Sequence, residues 1–392
     1  MGTKHTEPPV TFRRLCIILL AAAIAAVSYA GSTSAQEKPL IEKWLDGEVR
    51  AKFAPVTYNG PTIELRYSTF IGEFGIDVRA FKRLEAETNG KLVVKPYWGN
   101  TLANMMRGPF EAVSGGVADF GNCYVSNNPG GFTIHALLNI PFLFETSQQG
   151  SWMAMEVYAE FLKKEYEAKG VYMIRTNTTR PSQILTSKAP IEKLEDLKGK
   201  KIWSLGSPYV NDMMKALGAT PTFIPVPEVY TAMQSGVIDG IANHDAGYSL
   251  FKWNEVGSYH TKADLWANPT EYCLNKQKFD SLPPDLKAVF YHWAQLVTQA
   301  YAERFYDLVS EQAIADMKKR NIKMHVLSPE ERKRWSAATQ PVTDAFINQY
   351  SKNRSAEFVA ALKAKSEKYS KLSGDDITRM ILEKPIPGII DF

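Results

Sequence analysis

Cysteine and histidine are scarce in this chain of 392 residues, which contains 3 cysteines and 6 histidines. So few cysteines exclude a small domain held together by disulfides, and no two histidines have the i,i+4 spacing of a helical metal site. The excess of one sign of charge is also small, because the chain has 46 lysines and arginines and 42 aspartates and glutamates. A formal net charge of +4 gives no argument for a nucleic-acid partner. We therefore expect no metal, no cofactor and no nucleic acid.

Enzyme signatures are absent as well. The sequence has no G-x-S-x-G elbow, no H-E-x-x-H motif, no P-loop and no G-x-G-x-x-G turn after a strand. The adjacent residues His244 and Asp245 are the one acid–base pair of interest. A loop pair is their ordinary interpretation, and an exported hydrolase is the alternative. We predict that the protein is not an enzyme.

The first 35 residues have the layout of a secretory signal. Arg13 and Arg14 precede an apolar run of about 13 residues at 15–27, and small residues follow up to Ala35. This run is too short to span a bilayer comfortably. We expect cleavage after Ala35 and a periplasmic mature protein, with a signal anchor as the alternative. The arginine pair leaves Sec or twin-arginine export open.

The remaining chain has the composition of a globular protein. Hydrophobic residues make up 45% and charged residues 22% of the sequence, which excludes disorder, and the length allows two lobes with a core in each. Cys123 and Cys273 remain after the signal and lie far apart in strand-like apolar segments. They could pair in an oxidising compartment, but we favour two buried free thiols.

Strands and helices alternate through both halves of the sequence. The first half predicts strands at 63–68, 91–97 and 118–123, with helices at 77–88 and 102–114 between them. This alternation predicts open α/β sheets. The second half repeats it with strands at 183–186, 201–204, 222–224, 238–241 and 272–275 and helices at 208–217 and 226–235.

Two segments echo each other about 120 residues apart. Residues 111–119 and 231–239 each contain a helix end, a glycine, and an aspartate that leads into an apolar strand. Glycine adopts the left-handed conformation that ends a helix, so the echo suggests two lobes of similar build. Residues 281–285 (SLPPD) then predict the start of a long helix that runs to about Arg320 and braces the lobes.

Aromatic residues lie near predicted strand ends in the second half. Ligands bind beyond the carboxyl ends of strands in open α/β sheets. Core packing is the ordinary interpretation for any single one, but as a set they predict a stacking pocket. The candidates are Trp203, Tyr209, Tyr248 and Trp266.

Five segments carry a family resemblance. They are residues 138–144 (LNIPFLF), 196–202 (DLKGKKI), 215–222 (KALGATPT), 224–240 (IPVPEVYTAMQSGVIDG) and 275–286 (NKQKFDSLPPDL). Over about residues 62–335 the chain closely resembles the solute receptors of tripartite ATP-independent periplasmic (TRAP) transporters of the DctP type.

The resemblance implies a two-lobed periplasmic binding protein fold. Each lobe would be an open mixed sheet flanked by helices, and several segments and a long helix would cross the hinge. Such a receptor captures a small organic acid between its lobes and delivers it to membrane permease subunits of a TRAP transporter. The expected organisation is a signal peptide (1–35), an N-terminal extension (36–60), lobe I (61–180 and about 268–305), lobe II with bracing helices (181–267 and about 306–372) and a C-terminal tail (373–392), loop-like after Lys371.

One position departs from the family pattern. The family usually carries an arginine after the Lys-Ile pair, where it binds the ligand carboxylate with two parallel hydrogen bonds, and this chain has Trp203. The departure argues against a standard dicarboxylate. Arg180 is our candidate replacement, ahead of Arg175 and Arg107.

Other site residues follow from the resemblance by position. Asn243 matches the asparagine that contacts polar ligand atoms. In the first lobe, Phe70 and Glu73 follow the first strand, and Tyr124 and Asn127 follow the strand at 118–123. These four match pocket loops of the family by location.

Two ligand classes remain open. Trp203, Trp266 and Tyr248 could stack an aromatic or otherwise non-standard organic acid, or enclose a quaternary ammonium or sulfonium group by cation–π attraction. In the second case the receptor would bind a zwitterion or cation, and Glu73 would neutralise its positive end.

Overall fold

The computed structural model describes residues 37–53, 55–105, 108–125, 132–205 and 207–392. The predicted signal peptide with its cleavage site lies outside these ranges, as do Arg107 and Asn127. No helix within these ranges is long and apolar enough to cross a membrane.

The strands form two mixed sheets, which confirms the predicted two-lobed α/β fold. They are β1 (Ile63–Ser68), β2 (Leu92–Tyr97), β3 (Phe120–Asn122), β4 (Val171–Thr178), β5 (Gln183–Thr186), β6 (Lys201–Ser204), β7 (Thr220–Thr222), β8 (Gly240–Asn243), β9 (Tyr259–Lys262), β10 (Pro269–Asn275) and β11 (Lys323–Val326). The first sheet has the order β2-β1-β3-β10-β4, and the second has the order β11-β9-β5-β8-β6-β7. β10 and β5 each run antiparallel to both neighbours.

Helices flank the sheets and connect them. They are α1 (Leu40–Leu45), α2 (Gly75–Glu87), α3 (Pro109–Ser114), α4 (Ser147–Val157), α5 (Lys163–Ala168), α6 (Pro208–Ala216), α7 (Val226–Ser235), α8 (Asp245–Leu250), α9 (Lys276–Asp280), α10 (Pro284–Ala300), α11 (Leu308–Lys319), α12 (Pro329–Gln349), α13 (Ser355–Tyr369) and α14 (Gly374–Glu383). A π-helical turn, Tyr301–Asp307, joins α10 to α11.

The two echoing segments, 111–119 and 231–239, make equivalent hydrogen bonds in the two sheets. The Asp119 carboxylate accepts a hydrogen bond from the backbone N–H of Arg66 at 2.7 Å, and the Asp239 carboxylate accepts one from Lys201 at 2.8 Å. Gly236 ends α7 with φ +77°, the left-handed conformation that glycine favours. Each aspartate therefore ties an incoming strand, β3 or β8, to its parallel neighbour, β1 or β6.

The chain passes between the sheets in paired segments. One segment connects β4 to β5, and the other returns from β9 to β10. They are hydrogen-bonded to each other, from Thr179 N to Asn268 O at 3.0 Å and from Ser182 N to Trp266 O at 2.7 Å. The third connection is the long helix from α10 through the π turn to α11, which confirms the helix predicted to about Arg320. α10 packs on β4, and α11 packs on α8.

The tail predicted as loop-like after Lys371 is instead largely helical. Ser373 caps α14 through the Asp376 N–H at 3.1 Å, while Asp376 accepts from Ser373 N at the same distance. α14 packs on α10 and α1, and Asp375 accepts a hydrogen bond from Leu40 N at 2.8 Å. The sequence prediction overlooked this reciprocal cap, which is a recognised helix start.

The preference for free thiols is wrong, because Cys123 and Cys273 form a disulfide with Cα atoms 5.6 Å apart. Cys123 directly follows β3, and Cys273 lies in β10, the strand beside it. The Cys123 N–H also donates to Glu271 O at 2.9 Å. The two cysteines are 150 residues apart in sequence, but β10 returns from the second lobe to pair with β3.

Glu303 in the π turn gives the fold a pH dependence. Burial raises its pKa to about 7 from an ordinary 4.5, although Gln299 Nε2 donates to it at 3.0 Å. The folded state therefore holds this proton more tightly than the unfolded state, so the free energy of unfolding falls as pH rises from about 4.5 to about 7. We expect Glu303→Gln to be more stable than the wild type by about 2 kcal/mol at pH 8 and equal to it near pH 4.5.

Urea unfolding across this pH range measures the difference. Glu85→Gln removes an exposed carboxylate from α2 and controls for the loss of one negative charge. A Glu303→Gln variant that gains nothing at pH 8 would contradict the prediction.

Candidate functional site

A cavity of about 420 Å³ is lined by residues from both sheets. Phe70 follows β1, Tyr124 follows β3, Leu205 follows β6, and Asn243 ends β8. All four strands run parallel to a neighbour, and the cavity lies beyond their carboxyl ends. This is where ligands bind in open α/β folds.

The segments that connect the lobes form one side of this cavity. We call this side the floor. Thr179 and Asn268 come from the paired crossing segments, and Phe305 and Tyr306 come from the π turn. Thr270 donates its hydroxyl to Asn177 O at 3.1 Å, so the Tyr306 hydroxyl, 3.2 Å away, donates to Thr270. Burial raises the pKa of Tyr306, which keeps this hydroxyl protonated. The cavity therefore borders the segments that connect the two sheets.

The walls are mostly apolar and aromatic. Phe70 and Tyr124 have ring centroids 5.8 Å apart, and Phe305 lies 4.8 Å from Tyr306. Phe110 and Phe251 also line the cavity. Among the described lining residues there is no lysine or arginine, and Glu111 supplies the one carboxylate. Apart from Glu111, the polar groups that the described wall offers are uncharged hydrogen-bonding residues.

Three asparagines line the cavity and carry amide atoms without a hydrogen-bond partner among the described residues. Asn243 accepts from His244 N through Oδ1 at 2.9 Å, while its Nδ2 has no partner. Asn139 donates to Ala267 O at 2.6 Å, while its Oδ1 has none. Nδ2 of Asn268 also has no hydrogen-bond partner within the described ranges. A buried polar atom without a partner costs free energy, so these amides favour a polar ligand.

His244 follows Asn243 and also lines the cavity. Its Nδ1 accepts a hydrogen bond from Gly247 N at 3.2 Å and so caps α8. Burial lowers the pKa of His244 to about 4 from an ordinary 6.5, so the ring is neutral at pH 7. Since Nδ1 accepts, the single proton lies on Nε2.

The acid–base pair considered for a hydrolase is not formed. Asp245 instead bonds His260 Nε2 at 2.7 Å, and both side chains are buried. Among the described residues, no carboxylate is hydrogen-bonded to the His244 ring, as the aspartate of a Ser-His-Asp triad would be.

The structure brings only some of the predicted site residues to the cavity. Phe70, Tyr124 and Asn243 line it. Glu73 is exposed and lies off the described wall, and Asn127 is outside the described residues. The four other aromatic candidates are buried in the core, namely Trp203, Tyr209, Tyr248 and Trp266.

Trp203 shows why these aromatics are in the core. Its side chain is 0% exposed, its Nε1 donates to Ile224 O at 2.8 Å, and its ring lies 5.1 Å from that of Trp253. Tyr248 is held similarly, because its hydroxyl lies 2.8 Å from Gln183 O. The sheet is covered by helices, so an aromatic residue near a strand end can face the core.

The two candidate arginines within the described residues are also engaged elsewhere. The Arg180 guanidinium lies at the lobe crossing and pairs with Asp307 at 3.3 Å. Arg175 is buried with its guanidinium 3.4 Å from the ring centre of Tyr272 and 4.1 Å from that of Tyr301. Neither lines the cavity.

Several lining residues were not predicted from the sequence, among them Asn139, His244, Asn268, Phe305 and Tyr306. Two of them had a usable signal. Asn139 lies inside the segment LNIPFLF, and His244 directly follows Asn243. The others come from the hinge, whose position depends on pairing between distant segments.

Comparisons with known proteins agree on one family. The model of DctP, bacterial extracellular solute-binding protein family 7, matches residues 75–350. The C4-dicarboxylate-binding periplasmic protein DctP of Rhodobacter capsulatus is 26% identical over 71% of this chain and 83% of its own length. The 2,3-diketo-L-gulonate-binding periplasmic protein YiaO of Escherichia coli K12 is 27% identical over 67% of this chain and 80% of its own.

Solved structures show the same fold. A TRAP solute-binding protein from Rhodoferax ferrireducens, in complex with copurified benzoate, has a TM-score of 0.72 at 19% identity and covers 79% of this chain and 99% of its own. One from Bordetella bronchiseptica with bound (R)- and (S)-mandelate has a TM-score of 0.70 at 21% identity, over 78% and 99% of the two chains.

Proposed function

The chain belongs to the DctP family of bacterial extracellular solute-binding proteins, and from this membership we propose that it is the periplasmic receptor of a TRAP transporter for a small organic acid. The observation that carries the proposal is the cavity lined by both sheets and by the hinge. A ligand that contacts both lobes stabilises their closed arrangement. The closed receptor would then deliver the acid to membrane permease subunits.

The lining favours an acid with an aromatic or otherwise apolar body. Phe70, Phe110 and Phe305 supply apolar surface, while the asparagines and His244 supply uncharged hydrogen bonds. The benzoate and mandelate complexes of similar fold hold ligands of this kind. A dicarboxylate is disfavoured, because the described wall has no cation to balance a second charge.

A zwitterionic or quaternary ammonium solute is the second candidate. The carboxylate of Glu111 in the wall favours it, together with the aromatic rings, since both attract a cation. Glu111 would then take the role first predicted for Glu73.

Export and lobe boundaries complete the proposal. The signal would be cleaved after Ala35, by Sec or twin-arginine export. Lobe I would comprise residues 61–180 and about 268–305, and lobe II with its bracing helices would comprise 181–267 and about 306–372.

Titration calorimetry with benzoate, mandelate, succinate and glycine betaine tests the ligand class. We expect benzoate or mandelate to bind most tightly, and Phe305→Ala to weaken that binding about tenfold by removing apolar contact. Phe223→Ala is the matched control, because Phe223 is 77% exposed and does not line the cavity. Tight binding of succinate alone would refute the apolar acid, and tight binding of glycine betaine alone would establish the second candidate.

A further inference from the structure

We propose that His244 holds the ligand carboxylate through an uncharged N–H donor, so that the described wall selects monocarboxylates with neither a lysine nor an arginine. The inference rests on the proposed function and specifies the chemistry of the same cavity. It assigns a role to a residue that the sequence marked only by its neighbours, Asn243 and Asp245.

The first argument is the geometry of the imidazole. His244 is 7% exposed and lines the cavity, so the little surface that it retains is available to a ligand. The Gly247 N–H occupies Nδ1 at 3.2 Å, which leaves Nε2 as the donor. Nε2 has no hydrogen-bond partner among the described residues. The Tyr306 ring, 5.7 Å from the imidazole in a T-shaped contact, packs beside it.

The second argument is the space kept open at Gly247. A Cβ atom built on Gly247 would lie 3.3 Å from His244 Nε2 and 2.8 Å from Asn243 Nδ2. Gly247 lies within α8, and its φ is outside the left-handed region. Its backbone therefore does not require glycine, and alanine would favour the helix. A side chain here would press on both nitrogens, so glycine is what allows the Asn243 amide and the His244 imidazole to keep their positions at the cavity.

The third argument is charge. The described lining residues include no lysine or arginine, and their one carboxylate, Glu111, belongs to α3, which packs on the first sheet. A ligand carboxylate is therefore best placed at the second sheet, away from Glu111. Burial keeps His244 neutral at pH 7. A carboxylate is therefore held by hydrogen bonds from the second lobe, with its apolar body towards Phe70, Phe110 and Phe305. One such donor site suits one carboxylate, because a second would be desolvated without a partner.

Two substitutions separate the donor from the cap. His244→Asn keeps an acceptor near the position of Nδ1, and asparagine is a good N-cap, but it removes the Nε2 donor. His244→Gln places an amide N–H near the position of Nε2. We expect His244→Asn to weaken benzoate and mandelate binding about 10- to 100-fold, and His244→Gln to retain affinity within about threefold.

Calorimetry on the full mature chain, with the thermal midpoint of each variant as a folding check, decides the matter. Gly247→Ala is a third variant, expected to weaken binding while leaving all donors in place. If His244→Asn binds both acids as the wild type does, or if both His244 variants lose affinity equally, the inference is overturned. If the wild type binds neither acid, the proposed ligand class fails first and the inference fails with it.

Discussion

Replacing both Cys123 and Cys273 with alanine is expected to lower the free energy of unfolding by about 4 to 5 kcal/mol. The disulfide closes a loop of 150 residues, which includes strands β4 to β9. Such a cross-link restricts the unfolded chain, and the effect grows with the logarithm of the loop length. Both cysteines are 0% exposed, so the loss of packing adds to the effect.

Guanidinium unfolding of the oxidised wild type and the double variant measures this difference. The wild type treated with a thiol reductant should shift towards the double variant, which serves as the control for side-chain packing. Equal midpoints for the oxidised wild type and the variant would mean that the disulfide contributes nothing to stability.

Trp203→Ala is expected to destabilise the protein by about 3 to 5 kcal/mol. The indole is buried against Trp253 and donates to Ile224 O, so its removal leaves a cavity and a carbonyl without its partner. Trp203→Phe should cost less, because it keeps an aromatic ring and loses mainly the hydrogen bond. Thermal unfolding, followed by circular dichroism, gives both values.

The same variants decide between core and ligand contact at this position. Phe223→Ala, which removes an exposed ring, is the control. If Trp203→Ala unfolds at the wild-type temperature and instead changes the preferred ligand, Trp203 contacts the ligand as the family comparison of the sequence first suggested.

Local signals predicted much of the fold. The strands Ile63–Ser68 and Lys201–Ser204 have the predicted bounds, and α7 ends before Gly236 as expected. These elements depend on short-range periodicity and on helix-ending glycines. β10 between β3 and β4 was beyond such reasoning, because its pairing joins segments far apart in sequence. The disulfide was misjudged for the same reason.

The site residues also fall into those that local sequence signals predicted and those that depend on distant pairing. Phe70, Tyr124 and Asn243 line the cavity because they follow parallel strands, which the sequence reveals. Trp203 also belongs to such a strand, yet it faces the helices, and strand position alone does not tell which face a side chain takes. Phe305 and Asn268 reach the cavity through the hinge, whose course no local pattern specifies.

The floor of the cavity consists of the joints between the lobes. Thr179 and Asn268 belong to the two hydrogen-bonded crossing segments, and Tyr306 belongs to the π turn of the long helix. A solute at the floor therefore rests on the parts of the chain whose bending changes the angle between the lobes. We expect a wider acid to hold the two sheets at a larger angle than a narrow one, because it fills more of the space beside these segments. Two acids with the same polar groups and different widths would thus produce receptors of different outline.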